Sequence, residues 1–231
     1  MARLLDLHQR LGRLALRLVG LHLLWCWWAL RGGVVLGVFP ATAGLHGVLR
    51  DLERRVDDTE PGWHELRTAF AAHARRERPS ANRLGALLVG VWAVVLVARG
   101  VVEHVDLGAT GPLLAGGHTV LGVALGLVTV LAWPLQAHFD GGALAVLRHA
   151  VVLSLGRPGT ALVAGAGAGI VLCGYYLLPG LAVVLGVVAP AAVVTAALWR
   201  TRVLVAPRTT STATFAGGRS GLKPRQGAEV G

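Results

Sequence analysis

The sequence predicts an all-α, polytopic membrane protein with five to six membrane segments arranged as three hairpins, together with cytoplasmic or interfacial amphipathic helices. Three observations predict this class. The chain of 231 residues is 54% hydrophobic and only 15% charged, and its mean hydropathy is +0.62. Long apolar runs with almost no charge recur along the chain, as transmembrane helices require. The apolar runs of a soluble α/β core are shorter and are separated by polar helix faces.

Six apolar runs define the membrane segments, at residues 18–30, 33–49, 84–102, 112–135, 160–178 and 180–199. The last four are long enough to cross about 30 Å of hydrocarbon as helices. The first two are short, and Arg31-Gly32-Gly33 between them predicts a tight turn, because glycine tolerates positive φ angles. This turn either reaches the far surface or stays buried as a re-entrant loop; the sequence leaves both open.

Two prolines have predicted positions in these runs. Pro40 fits the first turn of the second apolar helix, where its missing N–H costs nothing. Pro190 lies inside the last run and predicts a kink there.

The arginines set the expected orientation. A hairpin over the first two runs places the arginine-rich segments before residue 18 and at 50–83 on the same side of the membrane. The positive-inside bias assigns that side to the cytoplasm, together with residues 136–158 and the chain's end. We therefore expect a bacterial plasma-membrane protein with both termini in the cytoplasm.

The formal net charge of +10 does not indicate a nucleic-acid partner. All but one of the 22 cationic residues are Arg, and they cluster beside apolar runs, where the positive-inside bias places them. The bilayer is the partner that this pattern predicts.

Two segments outside the runs are predicted to be helical. In residues 59–79, Trp63, Leu66 and Phe70 recur at helical spacing, which is typical of a helix lying on the membrane surface. In residues 136–158, Asp140 is expected to cap a helix of about 141–156, which Gly156 and Pro158 would end. Residues 1–205 are thus predicted to form one helical membrane domain, and residues 206–231 a disordered basic cytoplasmic tail.

Groups that could carry chemistry are few. No Asp or Glu lies in any of the six runs, and His22, His46 and His118 are their only candidate proton-binding groups. His138, Asp140 and His149 suggest a metal site only superficially, since a capping Asp140 places His138 before the helix. Without an HExxH motif, paired intramembrane carboxylates or a nucleophile elbow, we expect no enzyme, no cofactor and no metal.

Three stretches together resemble the YesL family of bacterial integral membrane proteins. They are "FPATAGLHGVL" (39–49), the amphipathic segment with Trp63 and Phe70, and "WPLQAHFDGGALAVLRHAVVLSLGRP" (133–158). The resemblance covers residues 13–200, and its most specific parts are Pro40-Ala41-Thr42-Ala43 and Phe139-Asp140 followed by Arg148 and Pro158. Many members have glycine before Pro-Ala-Thr, where this chain has Phe39.

The resemblance implies no catalytic residue, and the family's activity is not established. Some members are encoded beside carbohydrate ABC transporters and their regulators. This implies a non-enzymatic accessory protein whose partner is a carbohydrate ABC transporter or a membrane sensor. The alternative is a small membrane transporter or channel. The candidate structural or partner-docking residues are Pro40, Thr42, Trp63, Phe70, Phe139, Asp140, Arg148 and Pro158.

Arg148 and Asp140 each admit two roles. In the structural role, Asp140 satisfies free backbone N–H groups, and Arg148 meets a lipid phosphate or a helix end. In the docking role, the apolar face of helix 141–156 packs on the bundle and Arg148 is presented to a partner protein.

Overall fold

The computed structural model describes residues 2–55, 61–105, 108–139, 141–201 and 203. Every regular element in these ranges is helical. The α-helices are α1 (Ala2–Arg31), α2 (Val35–Arg54), α3 (Trp63–Arg76), α4 (Arg78–His104), α5 (Gly111–His138), α6 (Ala143–Gly156), α7 (Pro158–Leu177), α8 (Pro179–Leu185) and α9 (Val188–Arg200), with a 3₁₀ turn at Gly108–Thr110.

Four helical segments have the length and composition to cross a membrane: Gly12–Arg31 of α1, and all of α4, α5 and α7. The α8–α9 pair makes a fifth if its two bent halves count as one span. The three predicted hairpins are α1–α2, α4–α5 and α7 with α8–α9. The prediction of a polytopic all-α membrane protein is therefore confirmed.

The first hairpin reverses at residues 32–34, as the glycine pair predicts. Gly33 has a φ of 74° and Val34 a φ of 58°, so the turn passes through the left-handed region. A Cβ added at Gly37 would lie 2.2 Å from the carbonyl oxygen of Ala29. The two arms therefore touch backbone to backbone immediately after the turn.

The contacts of Phe39 show how far the first hairpin extends along α4. Its ring stacks on Trp133 with centroids 6.2 Å apart, and it fills the space where a Cβ of Gly85 would be. From Gly85, α4 continues for about 28 Å to His104, whereas α2 extends only about 6 Å from Phe39 back to its first residue. The turn at residues 32–34 thus ends well short of the far end of α4. This short reach along α4 favours the re-entrant loop of the two alternatives.

Pro40 does not lie in a first helical turn. Because α2 begins at Val35, Pro40 is its sixth residue and is buried inside the helix. The sequence interpretation placed the start of this helix too late, since the apolar run gives no sign of where the turn ends.

The last span is bent, but not where the proline predicts. The axes of α8 and α9 differ by 73° across the break at residues 186–187, and Gly186 has a φ of 40°. The Tyr175 hydroxyl donates a 2.7 Å hydrogen bond to the Gly186 carbonyl. Pro190 is only the third residue of α9, where it removes no intrahelical hydrogen bond. The predicted kink therefore exists, but it depends on Gly186.

Inter-helix packing is concentrated at one end of the bundle. We call it the basic end, because it carries α3, α6 and the arginines at 50–83; the opposite end, at Gly108–Thr110, is the loop end. The buried cluster that joins α4, α5, α6, α7 and α9 reaches no further along α4 than Leu88 and along α5 than Val128. A second cluster joins α1, α2, α3 and α9. Towards the loop end, most side chains of α4 and α5 are exposed.

Two helices, α3 and α6, lie outside the six apolar runs, as predicted. Helix α3 starts at Trp63 after the N-cap residue Gly62, and α6 starts at Ala143 after the N-cap residue Gly142. The start of α6 was therefore predicted two residues too early. Asp140 and the predicted tail at 206–231 lie outside the described residues.

Candidate functional site

The Pro-Ala-Thr-Ala stretch holds the two arms of the hairpin together. Thr42 donates its hydroxyl to the Val38 carbonyl at 2.8 Å and accepts the indole N–H of Trp25 at 3.1 Å. Pro40 and Thr42 are both buried. Thr42 therefore acts within the fold, as a polar link between α1 and α2.

Helix α3 packs on α2 through two glycines. A Cβ added at Gly44 would lie 3.0 Å from the Ala74 methyl group, and one at Gly47 would lie 2.6 Å from the His73 ring. Phe70 is fully buried in the cluster of α1, α2, α3 and α9. The apolar face of α3 is thus covered mainly by protein, not by lipid as a surface helix would be.

Trp63 lies at the edge of this contact. Its side chain is 51% exposed, and its six-membered ring fills the space beside Gly20, where a Cβ would lie 2.6 Å away. It therefore packs on α1 with one face and leaves the other open.

An ionic cluster at the basic end ties α2, α3 and α5 together. His73 Nε2 lies 2.6 Å from Asp51 Oδ2, and Arg50 donates to Asp51 Oδ1 at 3.0 and 3.2 Å. Arg50 also donates to the Ala137 carbonyl at the end of α5. Partial burial alone would raise the pKa of Asp51, but its hydrogen bonds and the positive charges of His73 and Arg50 outweigh burial and lower this pKa.

Sequence reasoning missed this cluster. The only signal was an adjacent Arg50-Asp51 pair at the end of an apolar run, and the partner His73 lies on another helix.

Phe139 and the two nearby histidines form an aromatic group where α5 gives way to α6. The Phe139 ring stacks on His149 with centroids 5.6 Å apart and meets the His138 ring edge-on at 5.3 Å. The imidazoles considered as metal ligands thus both pack against an aromatic ring.

Helix α6 presents a stripe of exposed side chains around Arg148. Ala143, Val146 and Ala150 face the bundle and are buried. The opposite face carries Leu144, Arg148, Val151, Val152 and Leu155, spaced as one helical stripe. Leu144, Val152 and Leu155 are 72%, 61% and 78% exposed, and Arg148 is exposed too. We call these five residues the α6 stripe.

Pro158 is separate from the α6 stripe. It is the first residue of α7, where proline suits a helix start, and it is exposed. The predicted site residues therefore divide between the α1–α2–α3 region and the α5–α6–α7 connection, and they form no single site.

A cavity of about 700 Å³ lies among α1, α2, α4, α5, α7 and α9. Its walls are apolar and aromatic, and they include Trp25, Phe39, Trp92, Trp133, Ala168 and Val194. Trp92 donates its indole N–H to the Thr129 hydroxyl at 3.0 Å, and Thr129 donates to the Leu125 carbonyl at 2.8 Å. None of the residues lining the cavity carries a formal charge with histidine neutral.

The three histidines of the apolar runs lie in three separate surroundings. The His22 ring packs against Gly186, and His118 donates to the Leu114 carbonyl of its own helix at 2.9 Å. His46 lines the cavity, with its Nδ1 atom 3.4 Å from the Thr195 hydroxyl. They lie on different helices and do not form one group.

The fold is that of a polytopic α-helical membrane protein whose N-terminal hairpin turns tightly at residues 32–34. Residues 18–98 match a family model described as "Protein of unknown function, DUF624". Over an alignment of 158 residues, the chain is 26% identical to "Uncharacterized protein YesL" of Bacillus subtilis (strain 168). The alignment covers 68% of this chain and 71% of that protein. Both matches agree with the resemblance of the sequence to the YesL family. No solved structure matches it significantly.

Proposed function

We propose that this protein is a non-enzymatic accessory protein of the bacterial plasma membrane, with both termini in the cytoplasm. In this proposal it docks to a carbohydrate ABC transporter or to a membrane sensor through the α6 stripe. The observation that carries the proposal is the position of Arg148 within an exposed apolar stripe on a helix whose other face is fixed to the bundle.

The chemistry of the stripe suits a protein partner. Leu144, Val152 and Leu155 offer apolar contact area along the helix. Arg148 between them offers a guanidinium group, which can bind a carboxylate in bidentate geometry. Arginine is also enriched at the hot spots of protein interfaces. Because Ala143, Val146 and Ala150 hold the other face of α6, the stripe is presented on a rigid support.

The partner class is supported by the family resemblance, since some members are encoded beside carbohydrate ABC transporters. The alternative, a small transporter or channel, requires a polar path through the bundle. The cavity has no charged lining residue, and the Trp25 and Trp92 indole N–H groups are bonded to threonine hydroxyls. These features favour the accessory role over the transporter role.

The test is affinity purification from native membranes, with partners identified by mass spectrometry. An Arg148→Glu variant should accumulate normally and lose a co-purifying transporter or sensor subunit, because a reversed exposed charge disturbs a partner more than the fold. An Arg67→Glu variant is the matched control, since Arg67 is an exposed arginine of α3 at the same end of the bundle.

Three results would count against the proposal. Equal partner recovery with the Arg148 variant would remove this residue from the binding surface. Loss of the variant protein from the membrane would favour the structural role of Arg148. Equal loss of partner with both variants would indicate that general positive charge, and not the α6 stripe, is responsible.

A further inference from the structure

We propose that the cavity of about 700 Å³ is a binding site for an acyl chain of a bilayer lipid. The proposal concerns the interior of the bundle and does not depend on the docking role of the α6 stripe.

The position of the cavity is the first argument. Its lining residues on α4 run from Gly85 to Leu96, about 16 Å along the helix, and all lie within the apolar run at 84–102. Val89 and Leu96 line the cavity while being 56% and 58% exposed. The cavity therefore opens sideways at the depth of the hydrocarbon, where acyl chains are its neighbours.

The chemistry of the walls is the second argument. The Trp25 and Trp92 N–H groups already donate to Thr42 and Thr129, and these two hydroxyls donate to carbonyls of their own helices. A polar occupant would lose its hydration and gain few hydrogen bonds in return, which is costly. A hydrocarbon chain gives up no hydrogen bond by entering, and it gains dispersion contacts with the aromatic walls.

The shape of the cavity is the third argument. Its lining follows α4 for about 16 Å, and a single extended chain of methylene groups is much narrower than a helix about 10 Å wide.

The occupant would lie between the two buried clusters. Leu88 and Val194 belong to the cluster around α4, α5 and α7, Ala191 belongs to the cluster around α1, α2 and α3, and all three line the cavity. A bound acyl chain would therefore add packing between two parts of the core.

The test uses the full chain reconstituted in phosphatidylcholine vesicles, with a photoreactive diazirine placed midway along one acyl chain. After illumination, the labelled peptides are mapped by mass spectrometry. We expect strong labelling at the cavity walls, including Trp92 and Trp133. An Ala93→Trp variant fills the cavity and should lower labelling at Trp133 by about tenfold, because overpacking opposes the occupant.

The matched control is Val94→Trp, one residue further along the same helix. Val94 is 70% exposed and does not line the cavity, so labelling at Trp133 should stay at the wild-type level. Size-exclusion profiles and helix content of both variants report whether they remain folded.

Two results would overturn the proposal. One is unchanged labelling at Trp133 in a folded Ala93→Trp variant. The other is wild-type labelling that is no stronger at the cavity walls than at Val94 and Val97, which would indicate only the general lipid shell. If the Ala93 variant fails to fold, the comparison of wall and surface labelling in the wild-type protein decides alone.

Discussion

Trp25 and Thr42 join the two arms of the N-terminal hairpin through a 3.1 Å hydrogen bond from the indole N–H to the hydroxyl. The same hydroxyl donates to the Val38 carbonyl, so Thr42 both accepts and donates in a buried position. The corresponding bond in the second hairpin joins Trp92 to Thr129 at 3.0 Å. Both α1–α2 and α4–α5 are thus linked by a tryptophan and a threonine within the apolar region.

A Thr42→Val substitution should destabilise the protein. It keeps the side-chain volume but leaves the Trp25 N–H without its acceptor, at a cost of about 1 kcal/mol. The measurement is the thermal unfolding of the detergent-purified protein. Thr42→Ser is the control, because it keeps the hydroxyl; a loss in the serine variant as large as in the valine variant would show that the methyl group matters instead.

The short reach of the first hairpin along α4 predicts a distinctive labelling pattern. Val35 is 70% exposed beside the turn, yet we expect a Val35→Cys variant to resist an impermeant maleimide in both intact and permeabilised cells. Thr110→Cys, at the loop end, should be labelled in intact cells. Thr68→Cys, exposed on α3, should need permeabilised cells. All three are made in a background without Cys26 and Cys173.

The controls of this experiment separate two questions. Labelling of Val35→Cys in intact cells would show that the hairpin crosses the membrane fully. Reversed behaviour of the Thr110 and Thr68 probes would overturn the orientation assigned from the arginines.

Asp51 predicts a pH dependence of stability. Because its pKa is lowered in the folded protein, the Asp51 cluster contributes stability above the ordinary carboxyl pKa of about 4 and loses it as the pH falls through the folded value. The side chain is 44% exposed, so we expect a contribution of only about 0.5–1 kcal/mol.

The comparison is between the wild-type protein and an Asp51→Asn variant. At pH 7 the variant should unfold at a lower temperature, and the gap between the two melting temperatures should narrow progressively as the pH falls below about 4. Glu53→Gln, an exposed carboxyl on the same helix end, is the control. A melting-temperature gap that is equally large at acid and neutral pH would contradict the assignment.

Some elements of the fold could be predicted from the sequence and others could not. The apolar runs and the arginines predicted the hairpins, because burial in lipid acts on every residue of a segment. The pairing of Asp51 with His73 and of Trp92 with Thr129 was not predictable, since it depends on how helices rotate against each other. The bend at Gly186 was assigned to Pro190, because proline is visible as a helix breaker whereas one glycine among 32 is not.

The candidate functional site was likewise predictable only in part. Arg148 stood out in the sequence as a charge in an apolar segment, and the structure places it on an exposed face. The cavity had no local signal, because its walls come from six helices that are far apart in the chain.

Two glycine-to-alanine changes, one at the close contact of the first hairpin and one in α4, should have opposite effects on stability. A Cβ at Gly37 would lie 2.2 Å from the Ala29 carbonyl oxygen and 2.9 Å from the Gly32 Cα, and these backbone atoms have no flexible side chain to move aside. Gly37→Ala should therefore destabilise the protein by about 1–3 kcal/mol, as overpacking does.

At Gly90 of α4, an added Cβ would meet nothing within 4 Å. Gly90→Ala should be neutral or stabilise by up to about 1 kcal/mol, because alanine favours the helix. The prediction is tested by thermal unfolding of both variants in the same detergent. The melting temperature should fall for Gly37→Ala and should stay the same or rise for Gly90→Ala. If Gly37→Ala were as stable as Gly90→Ala, the two arms could not be in backbone contact after the turn, and the N-terminal hairpin would have to be looser than described.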